Sequence, residues 1–279
     1  MSSLPDRASE QPFFDGTGDS RLFAFAHHAT GDNRGTVVFC HAFAEEKLWS
    51  HRVYVTFARE LARAGYGVLR FDMRGEGDSG AEFEETTVET RIEDTLRALK
   101  LARTHLGETA PVLVGHRFGG SIALTAAARV GANVRGVAVW DPVPDGAEYF
   151  SALLRSNLTT QMAVHGKVTR TRDALIKAIG EGETVVADGY GLGPALYQGM
   201  SALVWSRQED LFDHSTLLLE VPTAGRTEPS PALAAIAQAH PSVSVQLATE
   251  PPFWRETRQF HRRAGAFTSA TLGWLASLS

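Results

Sequence analysis

Pro111 to Ala123 read PVLVGHRFGGSIA. A short apolar run ends in Gly115, His116, Arg117, Phe118 and Gly119, and an Ala-rich stretch with apolar residues at helical spacing follows. Apolar runs of four to eight residues bounded by turn residues fit strands buried on both faces, so the stretch predicts strand, sharp turn, helix. The apex of the turn is Arg117. A guanidinium stays protonated at any working pH and cannot serve as an attacking group there.

Outward from this turn, apolar runs at 36–40, 68–71, 134–140, 216–221 and 243–247 alternate with helical patterns at 52–64, 87–105, 230–239 and 256–278. Two shorter strand patterns, 11–14 and 21–27, flank the turn DGTGD. Such alternation predicts an α/β fold, a mostly parallel central sheet with helices on both faces and right-handed crossovers. In sheets of this kind the site lies at the carboxyl ends of the strands. The alternation lapses between 145 and 212, where helical pieces at 147–162 and 171–179 precede Gly-rich turns at 189–193. The expected organisation is a mobile N-terminus at 1–10, a core built from 11–144 and 213–279, and a helical lid at 145–212.

The chain has 279 residues, 43% of them hydrophobic, enough for one α/β domain with an insertion. Its net charge of −5 comes from 27 basic and 32 acidic residues mixed along the sequence, without a basic run. That composition argues against nucleic acid or an anionic membrane as partner. Cys40 is the only cysteine, which excludes an intramolecular disulfide. No apolar run approaches the ~18 residues of a membrane span, and the N-terminal MSSLPDRASEQ lacks a signal-peptide core, so a cytoplasmic location is expected. His27 and His28 point oppositely if on a strand, and no phosphate-binding glycine fingerprint occurs; neither metal nor cofactor is expected. The expected partner is a small-molecule or peptide substrate, and the reading allows a homodimer.

The order of elements, with HAF at 41–43, DMRGEGDSG at 72–80, GHRFGG at 115–120 and a lid before the last two strands, resembles the α/β-hydrolase superfamily. Five stretches are more narrowly similar to the exosortase A system-associated hydrolase 2 group: HAFAEEK at 41–47, GHRFGG at 115–120, WDPV at 140–143, GYGLGPAL at 189–196 and PPFW at 251–254. In that group, too, arginine is usual at the elbow. The resemblance implies the fold and leaves the chemistry open.

An α/β-hydrolase carries its nucleophile in G-x-S-x-G, followed in chain order by an acid and a histidine. Here the nucleophile position is Arg117, the acid candidate is Glu228 in PTAGRTEPSP, and Pro252 or Phe253 stands where the histidine belongs. The nearest downstream histidine, His261, is expected inside the last helix. Loss of the nucleophile alone costs about 10⁶ in a serine hydrolase, so an acyl-enzyme route is excluded on chemistry. The resemblance implies that an oxyanion hole survives in backbone N–H groups, of Phe118 and of Ala42 or Phe43.

Arg117 starts a helix, where the macrodipole disfavours a cation by roughly 0.3–1 kcal/mol, so an anion is expected beside it. The internal candidates are Glu45, Glu46, Asp141 and Glu228; the external one is a substrate carboxylate or phosphate. His41 either orders the oxyanion loop or acts as a base, and His116 points away from the pocket. Trp140, Tyr190, Phe253 and Trp254 are candidates to wall an apolar pocket. Two readings follow. One is a cofactor-free enzyme of isomerase, epimerase, lyase or cyclase type using Arg117, Glu45, Glu46 and His41 on an anionic small molecule, acyl group or peptide. The other is a non-catalytic binding or accessory protein in a biosynthetic or exopolysaccharide pathway.

Overall fold

The strands around the elbow are mostly apolar and buried at every position: Gly35–Cys40 (β3), Tyr66–Phe71 (β4), Val112–His116 (β5), Gly136–Trp140 (β6) and Thr216–Glu220 (β9). A strand covered on both faces must sit inside a parallel sheet flanked by helices. In the computed structural model, which describes residues 9–107, 109–223, 225–257 and 259–278 (Glu209 by its backbone only), these strands do so. With Glu10–Asp15 (β1), Leu22–His27 (β2) and Val243–Leu247 (β10) they form an eight-stranded sheet in the order β1-β2-β4-β3-β5-β6-β9-β10. β2 runs antiparallel to both its neighbours, β1 and β4, and the other pairings are parallel.

The register sets Cys40 beside Gly115, His116 beside Trp140, and Trp140 beside Leu219. The loops leaving β3, β5, β6 and β9 therefore emerge side by side. Glu45–Arg63 (α1) and Gly265–Ser277 (α8) cover one face around Phe57, Trp140 and Phe267; Val88–Leu106 (α2) and Phe118–Val130 (α3) cover the other. The short helix Pro231–Ala239 (α7) packs beside β10.

Between β6 and β9 the chain builds a cap from Gly146–His165 (α4), Arg172–Gly180 (α5) and Pro194–Ala202 (α6), with a small hairpin of Val185–Ala187 (β7) and Tyr190–Leu192 (β8). Asp145 caps α4, its carboxylate accepting the N–H groups of Ala147 and Glu148 at 2.9 Å. Tyr149, Phe150 and Leu154 of α4 join the core beneath.

Several boundaries differ from expectation. α1 begins at Glu45 rather than at 52, because its first turns bury polar residues: the Lys47 ammonium lies 2.7 Å from Asp72 and 3.3 Å from Glu76. α8 begins at Gly265 rather than 256, where the Glu250 carboxylate accepts the N–H groups of Ala266 and Phe267. His261 thus lies in the preceding coil, not inside a helix. The Gly-rich segment expected to be turns is the β7–β8 hairpin, closed by Asp188 and Gly189 with φ of 51° and 85°, the two positive values a type I′ turn requires. Of the expected mobile segment 1–10, residues 1–8 lie outside the described residues, while Glu10 is in β1 and paired with Arg59.

Candidate active site

β5 passes into α3 through Arg117, whose φ of 54° and ψ of −127° are rare for a residue with a side chain. Backbone contacts hold the turn: the Arg117 N–H donates to the Trp140 carbonyl at 2.8 Å, and the Gly120 N–H donates to the Arg117 carbonyl at 2.9 Å. The approach of α3 to β3 leaves no room at Gly119, where a Cβ would overlap the His41 carbonyl. Two neighbouring crossovers carry the same rare sign of φ, 50° at Ala44 and 45° at Asp141.

The Arg117 side chain, 14% exposed, does not reach into open solvent. Its Nε donates to Glu46 at 3.2 Å and an Nη to Asp141 at 2.8 Å. Tyr149 of the cap donates its hydroxyl to the second oxygen of Glu46 at 2.7 Å. The rings of Tyr149 and Trp254 lie 5.5 and 5.6 Å from the guanidinium carbon. Thus the apex of the elbow holds a cation framed by two carboxylates and two aromatic rings. Burial works against the charge on Arg117, but Glu46 and Asp141 outweigh it and hold the guanidinium above its ordinary range. Burial likewise pushes both carboxyls up, against the pull of Arg117. Of the four internal anions considered, Glu46 and Asp141 meet Arg117.

Glu45 and Glu228 do not. Glu45 points into a neighbouring cleft, its carboxyl pushed up by burial and by Asp188. Glu228 is exposed, and the buried acid near it is Glu220, which accepts Arg226 at 2.6 Å and the Ser230 N–H at 2.9 Å. Where a triad histidine would stand, Phe253 stacks on His116 with centroids 5.1 Å apart and Trp254 faces Arg117.

The two histidines flanking this spot are tied to Tyr54 on α1. His41 stacks on the Tyr54 ring at 4.7 Å; burial, then Lys47, holds it well below the usual imidazole range. Its neutral ring is within hydrogen-bond reach of no group among the described residues. His116 Nδ1 lies 2.7 Å from the Tyr54 hydroxyl, which also accepts the Ala42 N–H at 3.2 Å. The Ala42 donor is therefore engaged and unavailable to an oxyanion. The remaining donors are Phe43, with no acceptor among the described residues, and Phe118, whose N–H heads α3 and has no intrahelical acceptor. Trp140 belongs to the core, not to a pocket: it is fully buried on the α8 face, its indole donating to Thr271 at 2.9 Å.

Beside the cluster, between the 43–46 loop and the cap, opens a cleft of about 280 Å³. Glu46 and Trp254 belong to both; Glu45, Trp49, Asp188, Tyr190, Arg255 and Glu256 complete much of its wall, which Arg117 does not reach. Tyr149, Tyr54 and Asp188 were not singled out in the sequence. Among the described residues no three His, Cys, Asp or Glu side chains converge as a metal set, and no helix is long and apolar enough to cross a membrane.

Residues 35–173 match the sequence profile of the α/β-hydrolase fold family. Bifunctional epoxide hydrolase 2 of Sus scrofa is 34% identical over 105 residues, 37% of this chain; the matched stretch spans only 17% of that protein. Among solved structures, Est1E from Butyrivibrio proteoclasticus superposes with a TM-score of 0.62 at 15% identity, covering 96% of this chain and 98% of that one. The α/β-hydrolase domain-containing protein 10 from mouse gives 0.58 at 16% identity over 96% and 98% of the two chains. The sheet order, the strained elbow after β5, the cap inserted before the last two strands and these matches agree: the chain is an α/β-hydrolase-fold protein.

Proposed function

We propose that this protein is a non-hydrolytic member of its fold, which binds a small molecule or peptide in the cleft beside a filled nucleophile position. The observation that carries this is the Arg117 side chain, paired with Glu46 and Asp141 and lying against Tyr149 and Trp254. A nucleophile, a base and the space for a tetrahedral carbon are all replaced there by groups that satisfy one another. The five stretches resembling the exosortase A system-associated hydrolase 2 group each contribute at least one residue to the cluster or the cleft, among them Glu46, Arg117, Asp141, Tyr190 and Trp254. That convergence supports an accessory role in the same cytoplasmic pathway, biosynthetic or exopolysaccharide, as the group's name suggests.

One observation favours a catalytic reading as well. Glu46 lies at the cleft wall with its carboxyl pushed up by burial, and Tyr149 donates to it, an arrangement able to move a proton at a carbon next to a carbonyl. Solvent deuterium entering a bound metabolite would select that reading over pure binding.

The test is a fluorophosphonate probe and p-nitrophenyl esters applied to the wild type and to Arg117→Ser. Neither protein is expected to be labelled or to turn over ester, because Phe253 and Trp254 stand where the base belongs. A fluorophosphonate adduct on the intact wild type, seen by mass spectrometry, overturns the proposal.

A further inference from the structure

The charge of the cleft differs from what the arginine alone suggests. Arg117 is matched by two carboxylates and does not line the cavity, whereas Glu45, Asp188 and Glu256 do, against the single cation Arg255. These three acids come from α1, the cap hairpin and the segment after β10, so the fold brings together charges that chain sequence keeps far apart. They lie close enough that Asp188 and Glu256 both add to the upward push of burial on the Glu45 carboxyl. The aromatic rings of Trp49, Tyr190 and Trp254 line the same cavity. Trp254 lines this wall and is only 3% exposed. The exposed Phe260 lies against Trp49, with ring centroids 5.5 Å apart and the planes tilted by 32°.

Carboxylates and aromatic rings lining one cavity are the combination that recognises an ammonium: the acids supply charge, and the ring quadrupoles attract the same cation. At about 280 Å³ the cavity is at the small end of ligand pockets, which run from ~300 Å³ upward. From the reading that the cleft is a binding site, we propose that it takes a small protonated amine carried on an aromatic or alkyl body, and rejects the matching carboxylate.

The test uses pairs that differ in charge and little else: phenethylamine against 3-phenylpropionate, and n-hexylamine against hexanoate, titrated into the full chain by calorimetry at low salt and neutral pH. The amine of each pair is expected to bind roughly tenfold or more tighter than its carboxylate, about 1.4 kcal/mol. Asp188→Asn and Glu256→Gln, which leave the Arg117 cluster intact, are expected to weaken amine binding severalfold without changing the melting temperature. Equal or tighter binding of the carboxylates, no binding of either amine, or amine affinity unmoved by both substitutions would overturn the assignment. The hydrolytic question is read separately by the fluorophosphonate assay, so either conclusion can fail while the other stands.

Discussion

Replacing Arg117 by Met removes the charge and keeps much of the apolar volume. Glu46 and Asp141, at 14% and 15% side-chain exposure, then face each other without a cation. Breaking a buried ion pair by deleting one partner costs about 3–5 kcal/mol. With an unfolding entropy of ~2.1 cal/mol/K per residue, 279 residues give about 0.6 kcal/mol/K, so the melting temperature should fall by about 5–8 °C at pH 8. The loss should depend on pH in a defined sense. Burial already holds both carboxyls above their ordinary values, and without Arg117 they rise further. A group whose folded pKa is raised favours the fold below its unfolded pKa, ~4, and loses that contribution as pH rises through the folded value. The variant is therefore penalised most at pH 7–8, and the gap to the wild type narrows as the pH falls toward 5. Thermal melts of both proteins across that range check this, with Arg117→Met/Asp141→Asn expected to recover part of the loss at pH 8. An equal loss at pH 5 and pH 8 would show that packing, not charge, is what Arg117 contributes, and no loss at pH 8 would refute the ion cluster itself.

Two further outcomes follow from buried groups around the elbow. Burial pushes the Cys40 thiol up to about 12, so Ellman's reagent should leave the native protein unlabelled and react with one thiol in urea; rapid native labelling would contradict the placement of β3. Tyr54→Phe leaves the buried Ala42 N–H and His116 Nδ1 without their shared partner, at a cost of about 1–3 kcal/mol or some 2–5 °C in melting temperature; an unchanged melt would place that hydroxyl outside the network.

The parts of the fold legible in the sequence are those governed by local rules. Apolar runs marked the central strands, and the glycines around Arg117 marked the elbow because close backbone approach tolerates nothing larger. Glu46 and Asp141 could be named as partners of Arg117 because residues just past adjacent parallel strands must lie near one another. Where burial ran against residue type, the signal failed: Lys47 and Ser50 are polar yet buried in the first turns of α1, which hid where that helix starts. Its position at a strand end makes Trp140 a candidate for the pocket wall, but strand alternation sends it into the core. Val139 sits against Gly120 under α3, so Trp140, one residue on, must point to the opposite face. Tyr149 and Tyr54 could not have been found, since the docking of a helix over a site tens of residues away in sequence leaves no local pattern.

The strain at Arg117 bears on how such a site can arise. A residue held at positive φ costs of order 1–3 kcal/mol and persists only when its surroundings impose it. Ala44, Arg117 and Asp141 share that sign of φ at three adjacent crossovers, and only Arg117 stands at the elbow. The geometry is thus set by how β3, β5 and β6 hand over to the loops and helices beyond, and by the glycine contacts beneath α3, not by the identity of the apex side chain. The apex residue is then free to change without disturbing the backbone, but a cation at a helix start needs counter-charge, and Glu46 and Asp141 supply it from the neighbouring crossovers. It follows that a nucleophile is not installed there in one step. Arg117→Ser alone leaves two buried carboxylates without a cation and still lacks a base, so it should be destabilised in the same pH-dependent way as Arg117→Met and remain without esterase activity.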